Sequence, residues 1–522
     1  MAPRALARVT AAAAGGATRA RLGNQRTAVV GISPNASRAP RIRPALVVRV
    51  ARLSQPEGRE IWPSGADRGN RFGMAPMLDS LDPPLVRRVR GVVWPVALLL
   101  GACGSHQDGP SLSKAASEDE SIPNVPEPAA SGPKLGAVAN ITPVLERPAS
   151  GARQLGYLHA GARVARAPEP YSRRGCGGGW YPVRPRGFVC ATESATVDMA
   201  HPTLAAMALT PVLDKPLPYA YARTRLETPL FERDPAHDDA VREVSRLKRR
   251  AGMAVVGSWS AREPEGSVQR LALLTSGRFV KASDLEAAEP SAFHGVELTK
   301  KEDLPLAFVV KRGVHAFKLD GETSQKVDAL DYHEVVRLTG RFHSVGDVKF
   351  WATSDGHWVR HRDVLVVQQR NAFPDFAQGA QRWIDVSVVT GALTLYEGKR
   401  PLFVTLCSVN RDAHQAEGDK WLGAFEVTGK EVTLATRDAN SFAENFELFD
   451  APWGLTLSSG LQIYGAYWHD RFGVDHGAGA IELSPPDAER VYQWVTPQIP
   501  EGWHGLAAPL SDSDKTRVVI RK

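Results

Sequence analysis

Along most of this chain apolar positions recur with a period of two, in short runs broken by Gly, Pro, Ser and Asp. That is the signature of half-buried strands joined by tight turns. Residues 151–198 show it in Gly156-Tyr157-Leu158, Arg163-Val164, Trp180-Tyr181 and Phe188-Val189-Cys190, predicting a small β module. A second β module is expected over 215–290 and a third over 300–368. Both end in a related phrase, Gly277-Arg278-Phe279-Val280 through Asp284-Leu285 and Gly356-His357-Trp358-Val359 through Asp363-Val364. The two copies begin 79 residues apart, which predicts a duplicated module. From Arg382 the strands Trp383–Val386, Leu393–Tyr396 and Pro401–Leu406 open a further β domain reaching to about residue 500, with 501–522 left as a tail.

Two segments break the period. Asp234 to Gly252 carries acids at its start and Lys248, Arg249 and Arg250 at its end, an order that complements a helix dipole and predicts a helix. Ser484-Pro485-Pro486-Asp487 supplies a capping hydroxyl, first-turn prolines and an early acid, predicting a helix to about Val495.

Charge changes the picture at the N-terminus only. The chain carries +7 overall, but residues 1–102 hold 16 Arg, no Lys and 5 acidic residues, a net of +11, which leaves −4 for the rest. The basic balance belongs to the leader, so nucleic-acid binding is not expected. Residues 1–73, rich in Ala, Arg, Gly and Pro, read as a disordered leader or as sequence ahead of the true start at Met74 or Met77. Residues 74–103 read as a secretion signal. Arg87, Arg88 and Arg90 precede the apolar run Val92 to Ala102, and Leu100-Gly101-Ala102-Cys103 resembles a lipobox with Cys103 as the lipidated residue. The run is about half the length of a bilayer-spanning helix. Residues 104–150, rich in Ser, Pro and Ala, have linker composition. The expected location is therefore the cell envelope, lipid-anchored and facing the periplasm.

Of the four cysteines, Cys176 and Cys190 lie 14 residues apart in the first small module. In an oxidising compartment they are expected to form a disulfide. Cys407, at the end of an apolar strand, is read either as a buried core thiol or as a nucleophile.

The stretch Tyr464 to Asp487, YGAYWHDRFGVDHGAGAIELSPPD, resembles the signature segment of the L,D-transpeptidase (YkuD) family, enzymes that cross-link peptidoglycan through a cysteine acyl-enzyme. The frame fits from Gly465 through Gly473 and from Ile481 through Ala488. The opening Trp383-Ile384-Asp385-Val386 through Leu395-Tyr396-Glu397-Gly398, the partial landmark Gly423-Ala424-Phe425-Glu426-Val427, and Pro452-Trp453 with Gly460 extend the likeness over residues 382–500. Residues 151–198 resemble a bacterial SH3-type module, a common companion of cell-wall enzymes. The resemblance implies a mainly β chain, with a transpeptidase-like C-terminal domain behind small SH3-like modules.

The positions that perform the family's chemistry differ here. Tyr464 stands where the upstream histidine belongs. Gly477, Ala478, Gly479 and Ala480 occupy the Ser-His-Gly-Cys positions, and Glu482 the Asn position. A methyl group at Ala480 is neither nucleophile nor acyl carrier. The resemblance therefore implies a module without an intact catalytic site that binds peptidoglycan stem peptides through Trp453, Tyr467, Trp468 and His469. Glu482 and Tyr464 are expected to form a hydrogen-bonded pair. Two alternatives stand beside it: an active transpeptidase using Cys407, and a structural partner of an active transpeptidase. No cofactor motif is present, and His469, Asp470, Asp475 and His476 match no metal-ligand spacing.

Overall fold

The computed structural model describes residues 123–207, 210–237, 239–262, 265–299, 303–409, 419–435, 447–474, 480–507 and 515–522. Strands dominate, as the period-two pattern predicts. No helix among these residues is long and apolar enough to cross a membrane. The signal segment, the leader and Cys103 lie outside the described residues.

The duplication is visible in the strand order. In the second module the sheet runs Val241–Leu247, Thr228–Arg233, Phe279–Lys281, Val268–Leu274, Gly252–Arg262, Ala220–Thr224, Leu285–Ala287. In the third it runs Thr323–Leu330, Val314–Asp320, Trp358–Arg360, Val348–Thr353, Val335–Val345, Leu306–Val309, Val364–Val367. Taken by position within each module, the order is the same. The repeated phrase makes the same local structure twice, a short strand, one 3-10 turn (Ala282–Asp284 or His361–Asp363) and a closing strand.

The predicted helix over Asp234 to Gly252 is absent. Val241–Leu247 is an edge strand paired antiparallel with Thr228–Arg233. Its charges pair locally, Arg246 with Glu227 beside the partner strand at 2.8 Å and with Glu243 on its own strand at 3.2 Å. A partner strand outweighs the weak helix preference of such a segment.

Two segments read as linker and tail are structural. Lys134–Ala137 and Thr142–Leu145 pair with the strands Arg163–Ala165 and Gln154–Leu158, so the first module begins well before residue 151. Their few apolar residues, Leu135, Ala137, Val144 and Leu145, are buried, while Pro, Ser and Gly around them set the average composition. At the other end, Gly505–Leu506 bridges the strands Gly423–Ala435 and Gln154–Leu158, and Trp503 sits in the first module's core. Arg517–Arg521 lies between Arg382–Ser387, parallel, and Gly423–Ala435, antiparallel. Val518 and Ile520 are buried there, each worth about 1.5–3 kcal/mol of burial.

Cys176 and Cys190 are joined in a disulfide within the first module, with Cα atoms 5.9 Å apart. The helix Pro485–Trp494 forms as its sequence predicts. Ser484 accepts from the Asp487 N–H, and Val491 and Tyr492 pack into the C-terminal core.

Candidate functional site

The two segments of the frame become neighbouring strands. Gln462–Gly465 runs parallel to Ile481–Leu483, which places Tyr464 opposite Glu482. On its other side Ile481–Leu483 pairs with Ser408–Val409, setting Ser408 opposite the same glutamate. Glu482 is thus enclosed from both flanks and is almost fully buried.

A buried carboxylate needs donors, and His469 supplies one. His469 presents Nε2 to Glu482 Oε2 at 2.8 Å, while its Nδ1 accepts from the Arg471 N–H at 3.0 Å. That second bond fixes the tautomer, so Nε2 carries the proton and donates. Tyr464 lies beside the same carboxylate from the neighbouring strand. Burial first, then the adjacent Glu482 carboxylate, hold its phenol well above the ordinary pKa. Tyr464 therefore stays neutral and is no base. Sequence reading anticipates the Tyr464–Glu482 pair; His469 as its third member carries no spacing signal and emerges only from the fold.

Ala480 belongs to a buried cluster with Tyr464, Tyr467, Leu434, Leu448 and Ala451, which also includes Tyr221 and Ala254 of the second module. It is wholly inaccessible. Tyr221 stacks obliquely on Tyr467 at 4.6 Å, and its hydroxyl donates to Thr433 Oγ1 at 2.8 Å. Gly252 is needed here, because a Cβ would stand 2.5 Å from the Tyr467 hydroxyl. Tyr221 and Ala254 of the second module thus share one buried cluster with Ala480. Gly477, Ala478 and Gly479 lie outside the described residues, as do Asp475 and His476.

The aromatic residues expected to meet a ligand divide. Trp453 and Tyr467 are buried. Trp453 adopts φ +62, an unusual conformation for a bulky side chain. Its indole N–H donates to the Pro216 carbonyl at 2.7 Å, and the ring packs on Tyr492 at 4.9 Å. Both residues are therefore spent on packing between domains and offer no ligand-facing surface. Trp468 and His469 are half-buried.

Cys407 is inaccessible and lies in the core formed by Ile384, Leu393, Trp453 and Ile481. Its backbone N–H donates to Gly391 and its carbonyl accepts from Gly473. Asp487, in the first helical turn, accepts from the Gly295 N–H at 2.9 Å and from Thr405 Oγ1, and burial raises its pKa to about 6. It ties the helix to the segment preceding the third module. No group of metal-binding side chains occurs among the described residues.

No family model matches the chain, and no characterised protein matches its sequence. Among solved structures, the LD transpeptidase LdtMt1 in complex with imipenem is similar at 18% identity, over 35% of this chain and 78% of that one, with a TM-score of 0.21. Mycobacterium tuberculosis L,D-transpeptidase 1 is similar at 20% identity, over 35% of this chain and 82% of that one, with a TM-score of 0.19. Superpositions this loose carry no weight on their own. The relationship rests on the residues of the frame and the strands they form.

Proposed function

We propose that this chain is a noncatalytic, lipid-anchored cell-envelope protein whose C-terminal domain keeps an L,D-transpeptidase-like frame for binding peptidoglycan. The observation that carries the reading is Ala480, a buried methyl where the frame calls for a thiolate, in one buried cluster with Tyr221 and Tyr467. Acyl transfer through cysteine needs a thiolate, a base to generate it and room for the substrate carbonyl. At Ala480 the first is missing, burial and the adjacent Glu482 keep Tyr464 neutral, and Ala480 itself is inaccessible.

With Trp453 and Tyr467 buried, contact with a stem peptide falls to the half-buried Trp468 at the margin of the frame. Anchoring through Cys103 would hold the modules within reach of the wall. The test is co-sedimentation of the purified full-length protein with isolated sacculi. Retention in both low and high salt is expected, and its absence in both removes the ligand from the reading.

A further inference from the structure

A second site lies in the C-terminal domain and shares no residue with the cluster around Ala480. The strands Ala392–Glu397 and Arg400–Leu406 turn at Gly398-Lys399, and the loop over residues 369–379 passes beside that turn. Between them is a cavity of about 650 Å³, within the range of small-ligand pockets. Every residue of its wall falls within the described stretch 303–409. Glycine lets the two sides meet: Gly398 adopts φ +57, and a Cβ there would run into the Gly379 carbonyl. Phe373, the aromatic residue of the wall, is held in place. It meets Trp383 and Tyr396 edge-on at 6.5 and 6.0 Å, and those two rings stack on each other at 4.5 Å. The Trp383 indole N–H also donates to the Gly398 carbonyl at 2.7 Å, which ties the turn to the same rings.

The charges of this wall are unbalanced. Arg370, Lys399 and Arg400 line it against one carboxylate, Glu397. Glu397 is already taken by Arg400 Nη2 at 2.6 Å. Arg370 is held by Asp385 and by the Ala372 carbonyl, and Asp385 is shared with Arg521 Nη2 at 2.9 Å. Lys399 is exposed and makes no ion pair among the described residues. Its Nζ stands 5.9 Å from the centroid of the half-buried Phe373 ring. The side-chain amides of Gln369 and Asn371 add neutral donors and acceptors to the same wall. A cation, two amides and an apolar ring therefore line one opening.

We propose that this cavity binds an anionic sugar, a pyranose carrying a carboxylate or a phosphate, with the acid at Lys399, hydroxyls at Gln369 and Asn371, and the C–H face of the sugar on Phe373. The ammonium supplies a charge-assisted hydrogen bond, the amides pair with hydroxyls, and the ring buries apolar area. A neutral sugar would leave Lys399 without a counter-charge, and a bare anion would leave Phe373 and the amides uncovered. This site is independent of the reading of Ala480.

The test is calorimetric titration of the full-length protein, at low ionic strength, with glucuronic acid, glucose 6-phosphate, glucose and inorganic phosphate. The preferred acidic sugar should bind at least about tenfold more tightly than glucose, and more tightly than inorganic phosphate. Tighter binding of glucuronic acid would support the site and assign it to a sugar carboxylate; tighter binding of glucose 6-phosphate would support it and assign it to a sugar phosphate. Lys399→Gln, checked for an unchanged melting temperature, should lose about tenfold toward the preferred acid and leave glucose unaffected. Equal binding of glucose and both acids, inorganic phosphate binding as tightly as the preferred acid, no binding of any of the four, or an unaffected Lys399→Gln protein would overturn it. The comparison of ligands on the unmodified protein decides the matter even if the variant fails to fold.

Discussion

His469 Nε2 lies 2.8 Å from Glu482 Oε2, and Tyr464 sits across the parallel strand pair from the same glutamate. A buried acid thus takes an imidazole N–H, with a buried phenol beside it. His469 and Tyr464 bring two neighbouring segments onto the buried Glu482.

The network should therefore register in stability. Glu482→Ala leaves the His469 N–H without its acceptor and removes the carboxylate beside Tyr464, at an expected cost of about 2–4 kcal/mol. Tyr464→Phe alone should cost about 1 kcal/mol, and less in the Glu482→Ala background. Urea unfolding of the two single variants and the double variant measures the coupling; strictly additive effects would contradict a shared network.

Restoring the thiol should not restore chemistry. In Ala480→Cys the new sulfur would lie among Tyr221, Tyr464 and Tyr467, out of water. Burial disfavours the thiolate, and the extra atom in a filled core costs about 1–3 kcal/mol. Native protein of this variant should react with Ellman's reagent far more slowly than the same protein in denaturant. Fast reaction at neutral pH would show that the cluster opens.

Much of this arrangement is legible in the sequence. The phrase repeated at Gly277 and Gly356 announces two modules with one strand order, and the Ser484-Pro485-Pro486 start places the helix. Local signals fail where the deciding partner is far along the chain. At Val241–Leu247 the partner is near and the local signal misleads instead: the charge order suits a helix, but the strand just before it, Thr228–Arg233, offers an edge. Gly505–Leu506 looks like tail until it meets Gln154–Leu158, some 350 residues earlier. The same distance hides the cluster around Ala480, since nothing in the sequence around Tyr221 announces that its ring will rest on Tyr467.

Asp450 gives a pH signature. Burial raises its pKa to about 6 against an ordinary 3.8. A carboxyl that prefers its proton when folded contributes stability that is full below about pH 4 and lost as pH rises through about 6. A displacement of that size corresponds to about 3 kcal/mol at most. The stability difference between the unmodified protein and Asp450→Asn should therefore move by up to that amount, in favour of the variant, between about pH 4 and 7. A difference independent of pH would contradict the assignment.

The Cys176–Cys190 bridge closes a loop of 14 residues in a module with a small core of its own. Replacing both cysteines by serine should cost the first module about 3 kcal/mol. Because Trp503 belongs to that module's core, the loss should also loosen the chain around Gly505–Leu506. Hydrogen exchange at those amides, compared between the two proteins, reads the coupling.

The most direct test of the central claim is a turnover assay with a tetrapeptide stem, following release of the terminal D-alanine together with intact-mass analysis after carbapenem exposure. No release above the blank and no adduct are expected, for the unmodified protein and for Cys407→Ala alike. D-alanine release, or a carbapenem adduct that disappears in Cys407→Ala, would show that the chain is a working enzyme.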